Sequence, residues 1–257
     1  MILDLTFYQV GFGYLFVVIL LVILRARGIK RERILLWATI RMTLQLMLMG
    51  YVLIWLFNHP HPLLTLAVVL LMMVFAIYTI FRKYKHDLRQ KMKTVIMLTF
   101  PLGTIPVLLY FSWIVIRIDP YYDARYIIPI TGMIIGNSMT GITLGLHTIL
   151  QAFKHERDAI EAHLLLGANI GQATKDIANR AFDNAIMPTL NSMLGMGIIF
   201  LPGMMTGQIL SGVVPTTAIM YQIAIMMGIL GSVTITTYLV IRFGTRTYFN
   251  HDLQIES

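Results

Sequence analysis

Residues 126–149 read YIIPITGMIIGNSMTGITLGLHTI, a run that contains no Asp, Glu, Lys or Arg. A helix that crosses a bilayer needs about 20 mostly apolar residues, so this run predicts a membrane span. Its glycines fall twice at four-residue spacing, as Gly132/Gly136 and Gly141/Gly145. Glycines at this spacing let helices approach closely, and at about 100° per residue the two pairs face opposite sides. We therefore expect this helix to lie centrally in its fold.

Six further apolar runs flank this one. The mean hydropathy of the chain is +0.75, and only 12% of its residues are charged, against roughly 25% in a soluble domain. These values predict an all-α polytopic membrane protein that forms one transmembrane domain over residues 1–257. The expected spans are near 7–24, 35–57, 63–81, 95–116, 126–149, 185–201 and 217–241.

The basic residues predict the orientation of these seven spans. Lys and Arg crowd into alternate connections, and 17 of the 20 lie on one side of the expected topology. The positive-inside rule makes that side cytoplasmic, which places the N-terminus outside and the C-terminus inside. The same rule explains the net charge of +8 without nucleic acid. The expected environment is a cell membrane and its lipid.

Several motifs and residue types are absent from the sequence, and their absence limits the possible mechanisms of transport. It has no GxxxxGK[ST] loop to hold nucleotide phosphates, no Cys, and no Asp or Glu within the expected spans. Proton-driven carriers usually place carboxylates in the membrane, so a self-powered antiporter is disfavoured. No His or carboxylate pair lies in the spans to support an intramembrane enzyme. The pattern favours a transport subunit that binds no cofactor itself and takes its energy from a partner.

The segment 151–182, QAFKHERDAIEAHLLLGANIGQATKDIANRAF, is a candidate contact for that partner. It predicts two cytoplasmic helices joined by a glycine turn around Gly167 and Gly171. Such an element either docks into a groove on a partner or lies as an amphipathic helix at the membrane interface. Permeases of many ATP-binding-cassette importers dock through an EAA–three residues–G loop, which this segment matches in part. The candidate coupling residues are Glu161, Ala162, Leu166, Gly167 and Ala168.

The second half of the chain also holds the candidate transport path. The uncharged stretch 202–216 contains a third glycine pair, Gly203/Gly207. It fits a re-entrant or broken helix that lines a cavity, or a tight helix hairpin.

Neutral polar side chains within the spans either line a path or bond helices to one another. Arg41 either contacts substrate or snorkels toward the interface. Met, of which the chain has 18, suits Cu(I) as a ligand but equally fills a core, so no metal site is assigned. The path candidates are Arg41, Gln45, Asn137, Asn191, Met204, Met205, Gln208, Tyr221 and Gln222.

Several blocks of this sequence together resemble the FetB family, which includes the membrane subunit of a bacterial iron-export ABC transporter and plant aluminium-sensitivity permeases. The blocks are LLWATIRMTLQLMLMGYVL (35–53), IPITGMIIGNSMTGITLGL (128–146), HLLLGA (163–168), LPGMMTGQILSG (201–212) and PTTAIMYQI (215–223).

The resemblance implies a permease that pairs with a separate cytoplasmic ATPase carrying ATP and Mg²⁺, as two copies of each subunit. It leaves iron, another metal, a chelate and a nucleotide sugar open as substrates. A carrier or channel that works without an ATPase is the alternative.

Overall fold

The computed structural model describes residues 6–250 and residue 254. Helices dominate, and the only β pairing in this part of the chain is a single bridge between Met196 and Phe200. Residues up to Pro60 form one compact unit and residues from His61 onward form a second. The first unit holds helices α1 (Phe7–Gly13), α2 (Leu15–Ala26) and α3 (Glu32–Asn58).

The second unit holds eight α-helices among its described residues. They are α4 (Pro62–Lys83), α5 (Gln90–Tyr110), α6 (Ala124–His155), α7 (Arg157–Leu165), α8 (Ile170–Ala173), α9 (Lys175–Gly195), α10 (Gly203–Leu210) and α11 (Pro215–Gly244). A π-helical turn, Phe111–Val115, extends α5, and a 3₁₀ turn, Thr245–Tyr248, extends α11.

Six helices in the described part of the chain are long and apolar enough to cross a membrane. They occupy Tyr8–Ala26, Glu32–Asn58, Pro62–Lys83, Gln90–Val115, Ala124–His155 and Pro215–Tyr248. The prediction of an all-α protein with several such helices is therefore confirmed, and six of the seven expected spans fall on these helices. The orientation of the helices across the membrane stays a prediction.

The remaining expected span, 185–201, differs from the structure. Helix α9 begins ten residues earlier, at Lys175, and ends at Gly195. Its first half carries Asp176, Arg180 and Asp183, and the helix is not among the six apolar ones. The chain leaves the helix before Gly197, whose φ of +88° L side chains rarely adopt. A seventh crossing thus stays a prediction.

Helix α6 is the centre of the second unit, because α4, α5, α9 and α11 all pack against it. Small residues make these contacts close. A Cβ built at Gly141 would lie 2.9 Å from Val233 Cγ1 and 3.3 Å from the backbone oxygen of Ala185. A Cβ at Gly145 would lie 3.4 Å from the oxygen of Ala181. Helix α6 therefore meets α9 and α11 almost backbone to backbone.

Helix α5 meets α11 in the same way. A Cβ at Gly103 would lie 2.6 Å from Thr236 Cγ2 and 2.9 Å from its Cα, which leaves no space for a side chain. Between α6 and α11 the buried hydroxyls of Ser138 and Ser232 share a hydrogen bond of 2.8 Å. Polar and small residues thus hold these helices together, as is usual where lipid removes the hydrophobic driving force.

The N-terminal unit is an antiparallel helix pair with little interior of its own. Its helices α2 and α3 pack together, and the hydroxyls of Tyr14 and Thr43 are hydrogen-bonded between them. No described residue of α2 is buried, although the helix is strongly apolar. Such a surface requires lipid or another protein around it.

Candidate functional site

Helices α6 and α9 present a face of exposed polar side chains. Asn137 and Thr140 lie on α6, and Asn184 and Asn191 lie on α9, all exposed in this chain. The two helices are joined across this face by a 3.0 Å hydrogen bond from Asn184 Nδ2 to Thr148 Oγ1. Asn137 and Asn191, two of the expected path residues, thus belong to neighbouring packed helices.

The hydrogen-bonding capacity of this face is only partly used. Asn137 Nδ2 donates to the backbone oxygen of Met133 at 2.7 Å, and its Oδ1 accepts from no described residue. Asn191 has no side-chain hydrogen bond within the described part of the chain. Asn137 lies about 4 Å from the midpoint of α6 at 1.5 Å per residue. An amide exposed to hydrocarbon costs free energy, so this face requires water or protein against it.

The first glycine pair of α6 does not pack as expected. A Cβ at Gly132 would come within 3.2 Å of Met72 Cε, but one at Gly136 would have no atom within 4 Å. Gly136 precedes the exposed Asn137, on a side of α6 that no described helix covers at this point. Gly203 and Gly207 of α10 likewise have open space around them. Among the described residues, only Gly132, Gly141 and Gly145 of the six glycines have an atom of another helix within 4 Å of a built Cβ.

The remaining C-terminal candidates cluster where α10 packs on α11. Met205 and Gln222 are buried, whereas Met204, Gln208 and Tyr221 are half-buried. Gln222 is 6% exposed, and its Nε2 lies 3.8 Å from Met196 Sδ.

The side-chain oxygens of Gln208 and Gln222 are buried without a hydrogen-bond partner in the described residues. Buried carbonyl oxygens normally have partners, so these two are candidates to receive water or a solute.

Arg41 and Gln45 lie in the N-terminal unit, on one face of α3 at four-residue spacing. Arg41 is half-buried and Gln45 is exposed. Their contribution to a path stays a prediction. The described residues contain no group of three or more His, Asp or Glu side chains that could hold a metal ion.

The expected helix–turn–helix element lies between α7 and α9. Helix α7 ends in a Schellman turn, in which Gly167 N–H donates to Leu164 O and Ala168 N–H donates to His163 O, both at 3.0 Å. Gly167 has a φ of +91°, which favours glycine. Asn169 then caps α8 in a capping box with Gln172. Both ends of the turn are therefore held by specific hydrogen bonds.

This turn presents two leucines outward. Leu165 is 88% exposed and Leu166 is 85% exposed, whereas Ile160 of the same helix is buried. Of the five expected coupling residues, Ala162, Leu166 and Gly167 are exposed, and Glu161 and Ala168 are half-buried.

Glu161 also pairs with Arg157 at 2.8 Å. Leu165 was not among the expected coupling residues, although its place in the HLLLGA run indicates that it is exposed. A helix that buries Ile160 and Leu164 turns the next two residues away from its packed face.

The element is tied to the bundle through its first residues. Arg180 of α9 donates to both carboxylate oxygens of Glu156, at 2.7 and 2.6 Å. Glu156 stands between α6 and α7, so this ion pair joins the start of α7 to α9. Both bonds come from the same guanidinium nitrogen, Nη2, and an exposed ion pair of this kind adds at most about 1 kcal/mol of stability.

Comparisons with known proteins match nearly the whole chain. The model of a family described as "Uncharacterised protein family (UPF0014)" covers residues 7–249. The UPF0014 membrane protein slr1647 of Synechocystis is 34% identical over 91% of this chain and 90% of its own.

The probable iron export permease protein FetB of Escherichia coli is 28% identical over 98% of this chain and 95% of its own. Protein ALUMINUM SENSITIVE 3 of Arabidopsis thaliana is 33% identical over 87% and 80%. No solved structure shows significant similarity. The predicted resemblance is confirmed, and the chain is a multi-pass membrane protein whose relatives include a named permease.

Proposed function

Because this chain belongs to the UPF0014 family, we propose that it is the membrane-spanning permease subunit of an ATP-driven exporter. Its cargo is iron or another metal, free or chelated. A separate cytoplasmic ABC-type ATPase holds ATP and Mg²⁺ and supplies the energy, in a complex of two copies of each subunit. The name of the Escherichia coli relative, a probable iron export permease, supports iron export, since that protein aligns with this chain over almost its full length.

The observation that carries the proposal is the pair of exposed leucines on a turn of fixed geometry. Exposed apolar groups surrounded by polar ones are typical of protein contact sites. Leu165 is the last residue of α7 and Leu166 is its C-cap, and the charged residues Arg157, Asp158 and Glu161 lie earlier in the same helix. A groove on an ATPase that accepts both side chains would move α7 when the nucleotide is hydrolysed. The Glu156–Arg180 pair would pass that movement to α9.

The polar face of α6 and α9 supplies the path in this proposal. Asn137 and Asn191 offer neutral oxygens rather than carboxylates, so cargo is held weakly enough to be released. The corresponding face of a second copy would cover these residues from lipid. In a passage between two copies, water and cargo would form hydrogen bonds with the exposed amides. Lipid tails could not form these bonds.

Co-purification tests the coupling contact. The chain is tagged and co-expressed with an ABC-type ATPase from the same genome, and the ATPase retained on the tag is quantified. We expect Leu165→Gln with Leu166→Gln to reduce retention at least tenfold. The matched control replaces two other exposed residues of α7, as Ala159→Gln with His163→Gln, and should retain the ATPase. Equal retention by both double variants would refute the contact.

A further inference from the structure

A cavity of about 670 Å³ lies at the ends of α4 and α6 in the C-terminal unit. Four cationic side chains line it, from Lys83, Arg89, Lys154 and Arg157, against one carboxylate, that of Asp87. These residues come from two separate stretches of the sequence, 83–89 and 154–157, both among the basic connections. Folding thus gathers the positive charge of those connections around one space.

Two of these cations, Lys83 and Lys154, have no carboxylate partner among the residues that the structure describes. Arg157 pairs with Glu161 at 2.8 Å, and the guanidinium carbon of Arg89 lies 5.0 Å from the ring centroid of Tyr248. Lys83 Nζ lies 5.7 Å from the ring of Tyr84. Neither Lys83 nor Lys154 forms an ion pair with a residue that the structure describes. An anion in the cavity would therefore meet two lysines that no described carboxylate pairs with.

The floor of the cavity is aromatic and holds an unused hydroxyl. Tyr248 is 5% exposed and stacks on Phe153 with ring centroids 4.3 Å apart. Its hydroxyl is buried and has no hydrogen-bond partner among the described residues. Tyr84 donates its hydroxyl to the backbone oxygen of Thr143 at 2.7 Å. Burial, and secondly Asp87, raise the pKa of Tyr84, so this wall adds no negative charge.

The wall formed by α6 changes in polarity along its length. Leu144, His147, Gln151 and Lys154 are spaced at three or four residues, so they lie on one face, and all four line the cavity. From Leu144 to Lys154 the helix rises about 15 Å. The sequence of groups is apolar, then polar, then cationic. A phospholipid has the same order, from acyl chain through glycerol to phosphate.

We propose that this cavity binds an anionic phospholipid of the leaflet next to the basic connections, with its phosphate at Lys83 and Lys154 and its acyl chains along Leu144. Basic pockets between membrane helices recognise such head groups. The buried hydroxyl of Tyr248, in the floor of the cavity, is a further hydrogen-bond donor for the head group. A soluble phosphate compound shares the phosphate chemistry but would leave the apolar end of the wall unused. The site is distinct from the polar face and from the leucine turn.

Native mass spectrometry of the purified full chain in detergent tests the proposal without any ATPase, so the outcome is independent of the proposed function. Phosphatidylglycerol, phosphatidylcholine and inorganic phosphate are titrated separately. We expect phosphatidylglycerol to bind at least tenfold more tightly than phosphatidylcholine. Lys83→Gln with Lys154→Gln should remove that preference, since each lysine near a membrane surface changes affinity about fivefold.

The matched control is Lys85→Gln with Lys175→Gln, which removes the same charge from exposed positions outside the cavity and should keep the preference. Gln151→Trp fills the cavity without changing its charge and should abolish the phosphatidylglycerol adduct. Equal binding of the two lipids, or a preference that survives both cavity variants, would overturn the proposal. Inorganic phosphate that binds as tightly as phosphatidylglycerol would also overturn it, in favour of a soluble ligand.

Discussion

The backbone N–H of Gly167 donates to the oxygen of Leu164 at 3.0 Å and closes the last turn of α7. Gly167 then adopts a φ of +91°, where a Cβ would be strained, and this conformation turns the next N–H, that of Ala168, back to the oxygen of His163 at 3.0 Å. Together the two bonds hold the backbone that carries Leu165 and Leu166. The contact proposed for the ATPase therefore depends on a backbone conformation as well as on two side chains.

Gly167→Trp should uncouple ATP hydrolysis from transport while the protein still inserts in the membrane. A side chain at this φ costs roughly 1–2 kcal/mol, and the exposed indole would block the leucines. Transport and hydrolysis by the reconstituted complex measure the effect. Gly171→Ala is the control, because Gly171 has no positive φ and its added Cβ would meet only Asn169 Oδ1 at 3.4 Å. Unchanged transport by Gly167→Trp would contradict the prediction.

The two glycine pairs of α6 should respond differently to substitution. Gly141→Leu has no space against Val233 and Ala185, and overpacking of this kind costs about 1–3 kcal/mol. Gly136→Leu enters open space in the chain. Thermal unfolding of the purified subunit in detergent should show a lower Tm for the first variant and little change for the second. A lower Tm for Gly136→Leu alone would place the close packing on the other side of α6.

The Ser138–Ser232 hydrogen bond allows a double-mutant cycle. Ser138→Ala leaves the buried hydroxyl of Ser232 without its partner, and each single substitution should destabilise by about 1 kcal/mol. The double variant should lose less than the sum of the two, with a coupling of about 0.6 kcal/mol, typical of such bonds in membrane proteins. Unfolding in denaturing detergent gives the four free energies. Strictly additive losses would show that the bond contributes nothing.

Asn191→Leu should reduce transport at least tenfold and leave folding intact. Asn191 is exposed and has no side-chain partner among the described residues, so its removal breaks no bond within the chain. Met187→Leu, at another exposed position of α9 one turn away, is the control and should transport normally. Cargo flux and Tm are measured on the same preparations. A variant that transports at the parental rate would remove Asn191 from the path.

Local patterns in the sequence predicted much of this architecture. Uncharged runs marked the long helices, Gly141 and Gly145 marked the central position of α6, and Gly167 marked the turn. Each of these depends on neighbours within a few residues or on the small size of glycine. These features can be predicted from the sequence because helix geometry fixes how residues a few positions apart are placed relative to one another.

Features that depend on tertiary packing were predicted less well. Gly136, Gly203 and Gly207 have the spacing of packing glycines, but no atom of another described helix lies within 4 Å of a Cβ built on them. Helix α9 extends far beyond its apolar run, because helix formation does not require hydrophobicity. The basic cavity joins residues such as Lys83 and Lys154, which are far apart in sequence. Only the fold brings those charges together.

Transport in a defined membrane is the most direct test of ATP-driven iron export by this chain and its ATPase. The chain is reconstituted into liposomes with and without the co-expressed ATPase, and iron movement is followed on addition of ATP. We expect iron to cross the membrane only when the ATPase and ATP are both present. Movement by the chain alone would identify a carrier or channel instead. ATP hydrolysis by the complex without any movement of iron would contradict the assigned cargo.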